Sequence, residues 1–124
     1  MKTKSIEWWN ALPKSEEVNS TAIEGDNVVL IDGVAFLVQR KNDFNNVICL
    51  RVEESKNNLV STFCKFREYC KRNKLQYIRV EGIGSHTYKI LFLVLRHAPK
   101  NAGIAYGDEE SEQYKRHIWF VKTY

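Results

Sequence analysis

No stretch of this chain is apolar for long enough to cross a membrane. The longest uninterrupted apolar run, residues 90–95, is six residues, against the roughly 20 that a spanning helix needs. No apolar h-region follows Met1-Lys2-Thr3-Lys4, so the chain reads as a non-secreted, cytoplasmic protein with no membrane partner. Cysteine is scarce and odd in number: Cys49, Cys64 and Cys70 sit on or beside apolar-periodic positions, as reduced thiols do in a cytosolic core. No C-x-x-C pair is present, and His86, His97 and His117 are scattered. That leaves no zinc-type ligand set, and no metal is expected. Neither a Ser/His/Asp nor a Cys/His arrangement, nor a Walker loop, can be assembled from the spacing. The acidic residues Asp108, Glu109, Glu110 and Glu112 miss the spacing of an EF-hand. Low-complexity tracts and internal repeats are missing too.

What is present suits one ordinary globular domain. The length of 124 residues, with 44% hydrophobic and 27% charged residues, allows a real core. The net charge of +4 is mildly basic and compatible with nucleic acid or an acidic protein. Residues 1–27 read as a short helix and a polar loop. Ser5 caps residues 6–12, with Ile6, Trp9 and Leu12 on one face, and Pro13 ends the helix. Residues 28–124 form the core. Asp32-Gly33 between two apolar runs predicts a two-residue hairpin, because both turn residues need positive φ. A second turn at residues 41–46 leads into residues 47–52, apolar enough for a strand buried on both faces.

Past residues 53–58 the apolar period becomes helical. Leu59, Phe63, Phe66 and Cys70 form one stripe, with Ser61, Lys65, Glu68 and Arg72 opposite and Asn57 or Asn58 as N-cap. Residues 76–81 return to strand alternation. Ser85 can cap a helix over residues 86–97, although its all-round apolar centre also fits a buried strand. Two short strands, near residues 102–106 and 116–122, flank an acidic turn-like loop at 107–112. The fold class is therefore α+β: a single domain with a mixed six-stranded sheet, in the order three antiparallel strands, helix, strand, helix, two strands.

That succession, carried by residues 47–52, 58–74, 76–82 and 118–121, resembles the core of the GNAT acyltransferase fold over about residues 28–124. The likeness is one of topology and pattern. It implies that the third and fourth strands are parallel neighbours which splay around acyl-coenzyme A. It also implies a carboxylate base near the end of the buried strand, Glu53 or Glu54, and a tyrosine acid in the following helix, Tyr88. Cofactor contacts would come from Ser55, Asn57 and Asn58. In that family the turn is glycine-rich, so that backbone N–H groups reach the pyrophosphate. Here it runs Glu53-Glu54-Ser55-Lys56-Asn57-Asn58, without glycine and with two carboxylates where an anion would bind.

Two surfaces stand apart from that crevice. Lys65, Arg67, Lys71, Arg72 and Lys74, with Tyr69 among them, make a basic helix that can track a nucleic-acid backbone and stack a base. Trp8, pointing about 100° away from Trp9, is a lid over the sheet or an anchor for a partner. The reading is an accessory or structural interaction protein, possible for a phage genome, on a reduced GNAT-like plan without a cofactor, with a protein partner or self-association. The alternatives are an acetyl-coenzyme A-dependent N-acyltransferase with an atypical loop, and a nucleic-acid binder using helix 58–74.

Overall fold

The computed structural model describes residues 1–14, 20–42, 44–54, 58–75, 77–82, 104–110 and 115–122. At its centre is the Asp32-Gly33 hairpin. Both residues have positive φ, 48° and 80°, the combination a two-residue turn needs to match strand twist. The turn joins β2 (Asn27–Ile31) to β3 (Val34–Arg40), with Ile31 opposite Val34. A second turn, closed by the Lys41 N–H donating to the Phe44 carbonyl at 3.0 Å, leads to β4 (Asn45–Arg51), antiparallel to β3. The expected meander of three antiparallel strands is present.

At the N-terminus, β1 (Lys2–Lys4) precedes α1 (Ile6–Ala11), whose first turn is capped by the Ser5 hydroxyl accepting from the Trp8 N–H at 3.1 Å. After the meander, α2 (Leu59–Arg72) crosses over to β5 (Tyr77–Gly82), which lies parallel to β4 with Ile48 opposite Glu81. Then β6 (Ile104–Glu110) and β7 (Lys115–Lys122) close the sheet in the order β1-β2-β3-β4-β5-β7-β6. All other neighbouring strands are antiparallel. The chain is thus α+β and a single small domain.

The sheet has seven strands rather than six. The added one, β1, is polar and shows no apolar alternation. It joins through backbone pairing, with Thr3 opposite Val29. The acidic segment expected to be a loop is also partly strand, since β6 runs on to Glu110. Its register sets Glu109 opposite Arg116 and Glu110 opposite Lys115. The helix or strand expected over residues 86–97 lies outside the described residues.

Alternation sorts the strand side chains onto two faces. On one, Val29, Ile31, Val34, Phe36, Val38, Val47 and Cys49 pack under Leu59, Phe63, Phe66, Tyr69, Cys70 and Leu75 of α2 and the turn after it. Phe36 stacks on Phe66 with centroids 4.1 Å apart and meets Phe63 edge-on at 6.1 Å. On the other face Val28, Leu30, Ala35, Leu37 and Ile48 lie under Trp9 and Ala22, with Ile6, Trp8 and Leu12 at the margin.

A helix of six residues covers this second face because polar contacts pin it there. The Trp9 indole N–H donates to the Ser20 carbonyl at 3.0 Å. The Asn10 side chain pairs with the Ala22 backbone in both directions, at 3.0 and 2.8 Å. The Lys14 ammonium donates to the Trp9 carbonyl at 2.6 Å and the Leu12 carbonyl at 3.1 Å, holding a cation at the negative end of the helix.

Phe36 is buried and meets both Phe63 and Phe66, so Phe36→Ala should cost about 3–5 kcal/mol. Urea unfolding should show a lower midpoint at unchanged m-value. A loss below about 1 kcal/mol would mean that the core collapses around the site without needing the ring.

Candidate functional site

The strand-to-helix junction is where the sequence placed a possible ligand crevice. Pairing of β4 with β5 ends at Ile48–Glu81, while β4 runs on to Arg51. Beyond it the N–H groups of Val52 and Glu53 both donate to the Gly33 carbonyl, at 2.8 and 3.1 Å. The hairpin turn and the end of β4 are pressed together there: a Cβ on Gly33 would come within 2.5 Å of the Glu53 carbonyl oxygen. The Glu53 and Glu54 side chains are exposed.

The first turn of α2 is capped by Asn58. The Asn58 side chain accepts from the Ser61 N–H at 2.8 Å, and the Asn58 carbonyl accepts from the Thr62 N–H at 3.2 Å. The buried Thr62 hydroxyl lies within 3.4 Å of both the Asn58 carbonyl and the Asp32 carboxylate. Lys65 reaches across to the same carboxylate at 2.7 Å. Of the residues expected to contact a cofactor, Asn58 is described, and it caps the helix. Ser55, Asn57 and Tyr88 lie outside the described residues. What gathers at this end is negative charge from Asp32, Glu53 and Glu54, with Lys65 engaged by Asp32.

The expected basic face of α2 divides along its length. Tyr69 is not available to stack a base. It is buried, lies against Phe66 with centroids 5.9 Å apart and belongs to the main core cluster. Burial pushes its hydroxyl pKa up, Cys70 adds to that, and the Arg40 guanidinium opposes it. Lys65 is half-exposed in its ion pair, and Arg67 is half-buried.

Lys71, Arg72 and Lys74 are exposed at the C-terminal end. Arg72 makes a long contact, 3.5 Å, to the Glu68 carbonyl of its own helix. The sequence reading missed Arg40 and Lys41, exposed at the end of β3 and the start of the next turn. Their signal was two adjacent cations in a segment read only as a turn. Trp8 belongs to neither end. It lies half-buried on the opposite face of the sheet, with the Lys4 ammonium 5.3 Å from its ring centroid.

Cys49 and Cys70 are buried and Cys64 is exposed, all as free thiols. Burial pushes the Cys49 and Cys70 thiols up from 9.0 to about 12, against a smaller opposing backbone hydrogen bond at each. They are packing residues, not nucleophiles. Among the described residues no group of His, Cys, Asp and Glu could hold a metal ion, and no helix is long and apolar enough to cross a membrane. No family model, curated protein or solved structure matches the chain.

The junction makes a paired prediction. Gly25 and Gly33 both have positive φ, but a Cβ on Gly25 meets nothing within 4 Å. Gly25→Ala should cost about 1 kcal/mol, the backbone penalty alone, and Gly33→Ala about 2 kcal/mol or more. Equal losses in urea titrations would show that the approach to Glu53 carries no strain.

The thiols make a second one. Between pH 9.0 and about 12 the unfolded chain gives up thiol protons that the native state retains. Native stability is therefore complete below that window and falls as pH rises through it. Urea midpoints at pH 8 and 10 should differ in that sense, and less so in a Cys49→Ala/Cys70→Ala variant. Identical slopes in the two proteins would assign the alkaline loss to other groups.

Proposed function

We propose that this chain is a non-catalytic interaction protein, of the accessory kind, built on a reduced GNAT-like plan. The plan is supported by β4 and β5 forming the parallel pair, with α2 as their crossover and β7 beside β5. The observation that carries the non-catalytic reading is how the junction spends its donors. In an acyl-coenzyme A site, backbone N–H groups at this turn and helix start face the pyrophosphate. Here Val52 and Glu53 donate to Gly33, Ser61 donates to the Asn58 side chain, and Thr62 donates to the Asn58 carbonyl. A pyrophosphate brought to this end meets the carboxylates of Asp32, Glu53 and Glu54 instead. Like charges a few ångströms apart cost on the order of several kcal/mol near a protein surface.

A thermal shift experiment tests this reading. Acetyl-coenzyme A at millimolar concentration should leave Tm unchanged within about 1 °C. A bound cofactor at a hundred times its Kd would add about 2.7 kcal/mol, which moves Tm by several degrees in a domain of this size. A saturable rise would overturn the proposal in favour of an acyltransferase with an unusual loop.

A further inference from the structure

The end of the domain opposite that junction carries its own surface. Four elements meet there: the end of β3, the turn into β4, the C-terminus of α2 and the start of β5. Arg40 is in register with Asn45, and Asn45 with Ile78. The chain leaves α2 through a tight closure. Lys74 adopts φ 57°, and the Leu75 N–H donates to the Cys70 carbonyl at 2.8 Å. Leu75 is buried in the core, so Lys74 stays outside beside the helix end. Arg40 lies near enough to Tyr69 of α2 to act on its hydroxyl, so the end of β3 and the last turns of α2 share this end of the domain.

Arg40, Lys41, Lys71, Arg72 and Lys74 are all exposed, and none forms an ion pair among the described residues. Of the nearby carboxylates, Glu68 is exposed on α2 three positions before Lys71, and Asp43 lies outside the described residues.

We propose that this end, formed by Arg40, Lys41, Lys71, Arg72 and Lys74, binds the phosphate backbone of double-stranded nucleic acid without reading its sequence. Charge complementarity supplies the attraction, and what the surface lacks selects the partner. Protein interfaces are centred on buried aromatic or aliphatic anchors. The exposed large hydrophobic residues among those described, Met1, Ile23 and Val60, all lie elsewhere: just before β1, in the loop before β2 and in the first turn of α2. Single-strand binders need an aromatic platform for unstacked bases. Here Tyr69 is buried and Phe44 is half-buried and already engaged. Among the described side chains of this end there is no exposed hydrophobic centre and no free stacking ring, and such cations suit contacts to phosphates, which position a duplex and carry no base information. This goes beyond the non-catalytic reading and is independent of it, since the two surfaces lie at opposite ends of α2.

The test is fluorescence anisotropy of the full chain with labelled duplexes of roughly 30 base pairs in two unrelated sequences at about 50 and 200 mM salt. Both duplexes should bind alike. With about three to four phosphates neutralised, affinity should fall roughly 40–150-fold between those salts. Lys71→Glu/Arg72→Glu should weaken binding at least about tenfold. The charge-matched control Lys2→Glu/Arg51→Glu, at exposed positions away from this end, should change it by less than about threefold. If the first variant fails to fold by circular dichroism, Arg40→Gln/Lys41→Gln replaces it with the same expected direction. Three results would overturn the proposal: no binding at the lower salt, equal losses in the test and control variants, or tighter binding to the single strand. Displacement of the duplex by polyglutamate at equal charge would also overturn it, by showing an acidic protein to be the better partner.

Discussion

Phe36 and Phe66 lie face to face, 4.1 Å between centroids and 5° from parallel, and through them the meander meets the helix that follows it. The contact fixes α2 in both rotation and translation over β3, because Phe63 closes on the same Phe36 ring edge-on. Once α2 is seated, the crossover has one place to deliver the chain, beside β4 and parallel to it. The register of β5 then sets that of β7, and β7 sets β6. Aromatic pairs add about 0.5–1.5 kcal/mol to the burial of their area. Here that energy acts at the joint between local hairpin structure and long-range topology, where loop closure is entropically costly.

Each end of α2 is held by a different kind of contact, and the difference shapes the surface. At the N-terminus the attachment is polar: Asp32 in the hairpin turn takes Lys65 and lies within reach of the Thr62 hydroxyl. At the C-terminus it is apolar, with Leu75 buried and the chain turned outward at Lys74. Carboxylates gather at the positive end of the helix dipole and cations at the negative end, as the dipole favours. That explanation covers Lys71 and Arg72 in the last turn. It does not extend to Arg40 and Lys41, which belong to a strand end and a turn and are set beside the helix by the sheet.

Local chemistry was legible in the sequence where it depended on neighbours along the chain. Asp32-Gly33 specified a turn with two positive φ values, Ser5 specified one cap and the pair Asn57 and Asn58 offered the other, which Asn58 supplies, and Leu59, Phe63, Phe66 and Cys70 specified the buried stripe of α2. Tyr69 was misread because the cations around it suggested an exposed face. Its position three residues after Phe66, on the flank of the stripe, carried the opposite signal. Other features had no local signal at all. Lys65 finds its partner 33 positions away, Asn10 pairs with a backbone twelve residues on, and the polar strand Lys2–Lys4 forms because β2 offers an edge. Such contacts exist only once the fold has brought the segments together.

The non-catalytic plan proposed for this chain rests on the junction after β4. A phosphate cradle needs donors that are oriented and unspent. In this chain the hairpin turn of β2 and β3 sits directly against the end of β4, and the Gly33 carbonyl takes two N–H groups there. Gly33 makes the approach possible, since any side chain would meet the Glu53 backbone. In the proposed non-catalytic plan, the contact that seals β4 to the hairpin spends two donors at this turn, and Asn58 takes the Ser61 N–H at the start of α2. Restoring a cradle would require more than exchanging Glu53 and Glu54 for glycine. The Gly33 carbonyl would also have to release its donors, breaking hydrogen bonds that hold the turn in place. Stability at this end of the sheet and anion binding at the same end are thus alternative uses of one set of backbone groups.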